Sequence, residues 1–316
     1  MNGVLLIDKP AGLTSHDVVA RVRKIIGVRR VGHTGTLDPF ATGLLVILVG
    51  RATRLAQFLS GAEKEYKGII RFGYTTDTGD ITGARSAGGA PQLDGRRAHS
   101  MREDAMQAAL TSLTGEIEQL PPMYSAKKIQ GRKLYEFARQ GHEVKREPVR
   151  VTIREFEMLS PADELLGAND DGSVDLRFRV VCSAGTYIRT LAEDLGKKLG
   201  TGAHLIELRR TRAGRFEIEG ASTLETLAES WHSDTLDYGA LISPYHALSH
   251  LPVIELDADQ ARRTMHGRPL ELVLARPQSL TDGDPIRLSL NNELIAVGRF
   301  DASRAVIHPA VVLGTE

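Results

Sequence analysis

The stretch Gly32-His33-Thr34-Gly35-Thr36-Leu37-Asp38-Pro39-Phe40-Ala41-Thr42-Gly43 runs directly into the apolar segment Leu44-Leu45-Val46-Ile47-Leu48-Val49. Glycines at 32, 35 and 43 and a proline at 39 prevent a regular helix or strand across the first part. The second part is short, bounded by Gly43 and Gly50 and partly β-branched, which predicts a fully buried strand. A turn-rich loop carrying one imidazole and one carboxylate is therefore anchored to the core, a common way for a scaffold to mount reactive groups.

Taken alone, the loop admits several chemistries. A phosphate cradle of the P-loop type needs Gly-Lys-Ser/Thr, and Gly35 is followed instead by Thr36-Leu37-Asp38. His33 and Asp38 can supply two metal ligands, but no Cys/His cluster completes a set. Asp38 can serve as a solitary nucleophile or base. It can equally hydrogen-bond its own turn ahead of Pro39. Spacing does not choose between these.

The loop resembles the catalytic motif of the TruB family, tRNA pseudouridine synthases that act in the T-arm loop. The resemblance continues through residues 3–15, 65–80, 119–141 and 181–216. It implies an α/β (α+β) fold, with a mixed-sheet pseudouridine synthase catalytic domain and a small C-terminal β-rich, PUA-like domain. By this resemblance Asp38 is the catalytic aspartate. Arg189 pairs with it and, as an adjacent cation, keeps it ionised. Tyr66 lies against the target base and assists proton loss from C5, Tyr187 walls the base pocket, and Leu208 packs beside the base. His33 fills the space an extruded base vacates, with Thr36 and Lys64 completing the substrate contacts. Residues 119–146 correspond to a mobile RNA-binding thumb, whose Lys127, Lys128, Arg132 and Lys133 meet phosphates among interleaved aromatics. The implied partner is the T-arm stem-loop of tRNA, with no obligate protein partner and a monomeric enzyme. Neither cofactor nor metal is implied, because the isomerisation is redox-neutral.

A chain of 316 residues exceeds what one core usually supports, which predicts two domains. Hydrophobic content of 41% and charged content of 25% are those of a soluble globular protein. Forty Lys+Arg balance forty Asp+Glu, which argues against indiscriminate nucleic-acid affinity, yet the signs are segregated. Residues 1–60 hold eight basic and three acidic side chains, and residues 123–150 hold the same numbers. Residues 217–259 hold nine acidic side chains and no Lys or Arg. One face of such a chain can meet a polyanion. Cys182 is the only cysteine, so no intrachain disulfide forms, which fits a reducing compartment. The apolar run at 4–7 is too short for a signal peptide and no run approaches a membrane span, so no membrane association and a cytoplasmic location are expected.

Along the chain, residues 3–8 are predicted as a strand. Lys9 then stands either solvated in a turn or in support of the loop. Thr14 caps a helix with the stripe Val18, Val19, Val22, Ile25 and Ile26. A helix is expected over 51–60, a strand over 68–76, a surface loop over 84–100 and a helix over 101–113. Strands at 148–158 and 174–182 flank a polar loop at 161–173. A helix starts near Ile188, and a basic strand occupies 205–216. Arg189 in the first turn of its helix opposes the dipole, which asks for a partner carboxylate. Asp77-Thr78-Gly79-Asp80 lacks the spacing of a calcium loop and reads as a turn. The acidic stretch 217–247 leads to a boundary near Leu248 in an exposed linker, dividing a catalytic domain at 1–247 from a tail at 248–316. Short apolar runs and turn signals such as Asn291-Asn292 make that tail β-rich. Two further functions fit the same residues. One is a metal-dependent hydrolase using His33, Asp38, Asp77 and Asp80; the other is a non-catalytic tRNA-binding or chaperone protein.

Overall fold

Strand β1 (Gly3–Lys9), helix α1 (Ser15–Ile26), strand β2 (Val31–His33) and strand β3 (Thr42–Val49) frame the glycine-rich loop. The computed structural model describes residues 1–86, 103–125, 127–129, 131–138, 140–142, 144–159, 167–232, 241–271 and 280–314. Most of the expected surface loop at 84–100, the first part of 161–173 and the side chains of Lys128 and Lys133 lie outside the described residues. From Gly43 on, β3 is buried throughout, as its composition requires. It pairs antiparallel with β1, Ile7 facing Leu45, and with β2, His33 facing Ile47. Helix α1 starts on a reciprocal capping box. The Thr14 hydroxyl accepts from the Asp17 amide at 3.1 Å, and the Asp17 carboxylate accepts from the Thr14 amide at 2.9 Å. Val18, Val19, Val22 and Ile26 then bury against β1 and β3.

The helix expected over 51–60 is divided into a 3-10 segment, Gly50–Leu55, and one α-turn, α2 (Ala56–Leu59). Its buried residues Ala52 and Leu55 are three apart, which suits the tighter helix. Strand β4 (Lys64–Phe72) begins earlier than expected, because Lys64 and Tyr66 already pair with strands on both sides. Helix α3 (Glu103–Ser112), strand β5 (Gly115–Gln119), the hairpin β6 (Lys128–Ile129) and β7 (Arg132–Lys133), and helix α4 (Leu134–Ala138) come next. Strands β8 (Val149–Met158), β9 (Gly167–Ala168) and β10 (Val174–Cys182), helix α5 (Ile188–Lys198), and strands β11 (Ala203–Ala213) and β12 (Phe216–Glu217) complete the first sheet.

The strand order is β1-β3-β11-β4-β10-β8-β5, with β2 on β3, β9 on β10 and β12 on β11. All pairs are antiparallel except β3 with β11, where Thr42 faces Arg209 and Gly43 faces Arg210. This junction brings the end of the loop beside β11. Gly43 is required there: its φ is 98°, and a Cβ would lie 2.3 Å from the Arg210 carbonyl oxygen. Helix α5 buries Leu191, Ala192 and Leu195 in a core shared with Tyr66, Phe178 and Leu208.

After helices α6 (Leu224–His232) and α7 (Pro244–Ala247), the chain forms β13 (Val253–Glu255), α8 (Ala258–Met265), β14 (Leu270–Glu271), β15 (Pro285–Leu290), β16 (Glu293–Asp301) and β17 (Val306–Val312). The five strands make a second sheet in the order β13-β15-β16-β17-β14. Asn291 and Asn292, at φ 50° and 62°, turn β15 into β16. Helix α8 was not expected; its eight residues are too few for a periodic signal, although Asp257 and Gln260 form a capping box. The boundary is also not an exposed linker. Ala247 and Leu248 are fully buried, in one cluster with Val4, Leu44 and Val46 of the first sheet and Leu294, Val297 and Val311 of the second. Arg51 donates to the carbonyls of Leu313 and Gly314, each at 2.9 Å, and Arg54 donates to Val312 at 2.6 Å. Among the described residues, no helix is long and apolar enough to cross a membrane.

Candidate active site

The loop is held from beneath by groups that the sequence presents as ordinary polar residues. Ser15 is fully buried; its hydroxyl donates to the Leu37 carbonyl at 3.2 Å and accepts from the Leu37 amide at 2.9 Å. Lys9 is fully buried as well, so its solvated reading is wrong. Its ammonium donates to the carbonyls of Pro10 at 2.9 Å, Leu13 at 2.7 Å and Pro39 at 3.3 Å. Burial pulls the Lys9 pKa down to about 8, against the attraction of Asp38. The backbone on both sides of Asp38 is thereby fixed.

Arg189, in the first turn of α5, fixes the carboxylate itself. Its Nε donates to Asp38 Oδ2 at 2.9 Å and its Nη2 to Oδ1 at 3.0 Å, a bidentate fork. The same guanidinium donates from Nη1 to the Thr78 carbonyl and from Nη2 to the Tyr124 carbonyl, both at 2.7 Å. Four chain segments therefore meet on one buried arginine. Asp80, also buried, stands 3.8 Å from Arg189 Nε and accepts from the Thr78 and Thr82 hydroxyls. Gln119, fully buried, accepts from the Tyr187 amide at 2.9 Å and donates to the Tyr187 carbonyl at 3.3 Å, fixing the start of α5. About a third of the Asp38 side chain, 34%, remains exposed, against 5% of Arg189. Burial nevertheless pushes the Asp38 carboxyl above its ordinary range, Arg189 opposes the shift, and Asp80 adds to it.

The exposed part of Asp38 opens on a cavity of about 270 Å³, at the small end of ligand clefts. Thr36, Lys64, Tyr66, Lys127, Tyr187 and Leu208 line it together with Asp38 and Arg189. Leu208 and Tyr66 are buried walls, Tyr187 is half-buried, and Thr36 is exposed. Lys64 is 7% exposed and donates to the carbonyls of Ser60 and Ala62; burial, with Arg210 nearby, lowers its pKa to about 8. The structure thus gathers most of the expected residues around one opening. His33 does not line it. Its ring packs edge-on against His16 at 5.5 Å, two residues before the cavity-lining Gly35, and burial lowers its pKa. Arg132 does not line the cavity either; it stands on the β6–β7 hairpin, where Lys128 pairs with Lys133 along the backbone, and covers the Phe137 ring at 4.5 Å.

Lys9 takes the supporting role that is one of its two readings, and Asp80 stands beside Arg189 and not in a metal set. Gln119 and Arg210 were missed as site residues. Their only sequence signal was proximity to the recognised motifs; their burial is a tertiary fact. The metal-hydrolase set is not assembled: Asp38 is forked by Arg189, Asp77 is exposed in its turn, and His33 faces His16. Among the described residues, no group of three or more His, Cys, Asp or Glu side chains is placed to hold a metal ion.

Comparison with known proteins agrees with this geometry. Residues 23–188 match the sequence model of the TruB family pseudouridylate synthase N-terminal domain, and residues 189–248 match the tRNA pseudouridylate synthase B C-terminal domain. The tRNA pseudouridine synthase B of Geobacillus thermodenitrificans is 46% identical over 273 residues, 86% of each chain. That of Aromatoleum aromaticum is 48% identical over 278 residues, 88% of this chain and 82% of the relative. That of Burkholderia pseudomallei is 44% identical over 312 residues, 98% and 96% of the two chains, so the likeness includes the second sheet. Among solved structures, the crystal structure of a Cbf5–Nop10–Gar1 complex matches with a TM-score of 0.70 and 28% identity, over 99% of this chain and 84% of the other. With two family domains matched in sequence and the shared fold around an Asp–Arg fork, this chain belongs to the TruB family of pseudouridylate synthases.

Proposed function

We propose that this chain isomerises the T-arm-loop uridine of tRNA to pseudouridine, with Asp38 as the catalytic carboxylate. The carrying observation is the partly exposed Asp38, forked by a buried arginine at the wall of a cavity lined by Tyr66, Tyr187 and Leu208. The names of the relatives, tRNA pseudouridine synthase B, support the substrate class. The reaction breaks the bond from C1′ to N1, turns the uracil, and joins C1′ to C5. Asp38 has three routes: attack on the sugar, attack on the base, or removal of a ribose proton. Each needs the carboxylate, and the Arg189 fork aims it while opposing its protonation. A uridine in a folded loop must be extruded to reach Asp38, at a cost of a few kcal/mol of stacking.

In this reading Tyr66 stacks on the extruded base, Tyr187 and Leu208 bound it, and Thr36 and Lys64 complete its contacts. His33 is the group that fills the vacated place in the RNA; burial favours its neutral ring, which stacks without bringing charge. The hairpin segment 119–146, with Lys127, Lys128, Arg132 and Lys133, lies over RNA phosphates. We assign catalysis to residues 1–247, and RNA backbone contacts to a PUA-like tail at 248–316. The enzyme acts as a cytoplasmic monomer without an obligate protein partner, and the isomerisation calls for no cofactor. The test is incubation of a T-arm hairpin with the purified protein, with and without chelator, followed by carbodiimide mapping of pseudouridine. Conversion of the loop uridine in both arms supports the proposal. Binding without conversion would leave an RNA-binding or chaperone protein instead.

A further inference from the structure

The cavity is backed by more positive charge than the Asp38–Arg189 pair accounts for. Arg210 is fully buried and faces Tyr66 directly across the β11–β4 pair, so the two side chains share one face of the sheet. Its Nε donates to the Leu44 carbonyl at 2.7 Å and its Nη2 to the Gly35 carbonyl at 3.2 Å, but its buried Nη1 has no hydrogen-bond partner. Lys64 lies two residues from Tyr66 on the same face of β4. A Cβ on Gly35 would crowd Lys64 Cε at 3.3 Å and touch Arg210 Nη1 at 3.5 Å, so both cations pack close against the glycine. Among the described residues, neither Lys64 nor Arg210 pairs with a carboxylate.

A buried guanidinium N–H without an acceptor is costly, and a native structure that retains one has a use for it. The Asp38 oxygens are both held by Arg189. Substrate does not reach Nη1, which has no accessible surface. Among the described residues, the hydroxyl oxygen of Tyr66 is an acceptor on that face. Burial raises the Tyr66 phenol pKa, and Arg210 is the largest influence opposing that shift.

We infer that Arg210 is a positioning residue for Tyr66, its free Nη1–H reserved for the Tyr66 oxygen and favouring the anion that removes the C5 proton. The inference rests on the isomerisation proposed above. Once C1′ is joined to C5, the C5–H bond breaks and its proton passes to the Tyr66 phenolate, giving the phenol. The C5–H electron pair forms the C5=C6 bond, the C6=N1 pair moves onto N1, and N1 takes a proton from water. The phenol returns its proton to solvent before the next turnover.

The test is single-turnover kinetics on a T-arm hairpin carrying hydrogen or deuterium at C5 of the target uridine, across a range of pH. Loss of one preorganised donor typically costs about 10²–10³ in rate, so Arg210→Gln should slow conversion by about a hundredfold. It should also show a larger deuterium isotope effect than the parent and move the limb belonging to Tyr66 to higher pH. Arg210→Lys retains the buried charge and is the variant to use if Arg210→Gln does not fold; its isotope effect should lie between those of the parent and the glutamine variant. A folded Arg210→Lys or Arg210→Gln protein with the parent's isotope effect and pH profile, whatever its rate, overturns the inference. A parent that makes no pseudouridine refutes the underlying function instead.

Discussion

Replacing Arg189 by lysine removes the fork while keeping the charge. In the parent, four hydrogen bonds run from this side chain: two to Asp38 at 2.9 and 3.0 Å, and one each to the Thr78 and Tyr124 carbonyls at 2.7 Å. A single ammonium cannot span both carboxylate oxygens and two carbonyls that approach from different segments. At least two of the four bonds are lost. Each buried group left without a partner costs about 1–3 kcal/mol, so the loss of two is about 2–6 kcal/mol. Distributed to the transition state, that is roughly 30- to 25,000-fold in rate. The carbonyl contacts exist without RNA, so part of the loss should appear as a lower unfolding temperature. The carboxylate contacts should appear in turnover. The assay is single-turnover pseudouridine formation at saturating hairpin, below the variant's unfolding temperature, beside a thermal melt. An Arg189→Lys protein that turns over and melts like the parent would refute the pairing as the organising contact of the site.

Three further outcomes follow from the structure. A chain ending at Ala247 loses Leu294, Val297, Val311 and Leu313 from a cluster shared with Val4 and Leu44. At about 1.5–3 kcal/mol for each buried Leu or Val, the loss approaches the net stability of a domain, about 5–15 kcal/mol; the truncation should be unfolded or aggregated by circular dichroism and gel filtration, and a parent-like melt would contradict the shared core. Because burial and Asp80 both raise the Asp38 pKa above 3.8, the rate should fall with decreasing pH around a midpoint above that value; Asp80→Asn removes a negative neighbour and should move the midpoint to lower pH, whereas an unmoved acid limb would disconnect Asp80 from Asp38. Neutralising Lys127, Lys128, Arg132 and Lys133 should weaken RNA binding and flatten its dependence on salt, since fewer counterions are released; an unchanged slope in a filter-binding titration would place the RNA elsewhere.

The sequence revealed the parts whose chemistry is local. The run Leu44–Val49 could only be a buried strand, Thr14 and Asp17 announced a capped helix, and the paired asparagines marked the turn in the tail. Arg189 opposing its helix dipole asked for a carboxylate, but 151 positions separate it from Asp38, and only the family resemblance joined them. Buried cations were the main thing hidden. Backbone carbonyls converge on the fully buried Lys9 and Arg210, from Pro10, Leu13 and Pro39 on the first and from Gly35 and Leu44 on the second, and no periodicity encodes that convergence. The exposure of the linker was misread for a related reason. Ala247 and Leu248 sit in a short stretch beside Ser and His, too brief to show an apolar face, yet they join the two sheets.

The central claim is that Asp38 performs the chemistry and does not serve to bind RNA. The most direct measurement compares parent and Asp38→Asn on a T-arm hairpin, with affinity by titration and pseudouridine formation by single turnover at saturation. The substitution keeps shape and removes the carboxylate, so affinity should stay within about tenfold while conversion is abolished. Substantial conversion by Asp38→Asn would contradict the account.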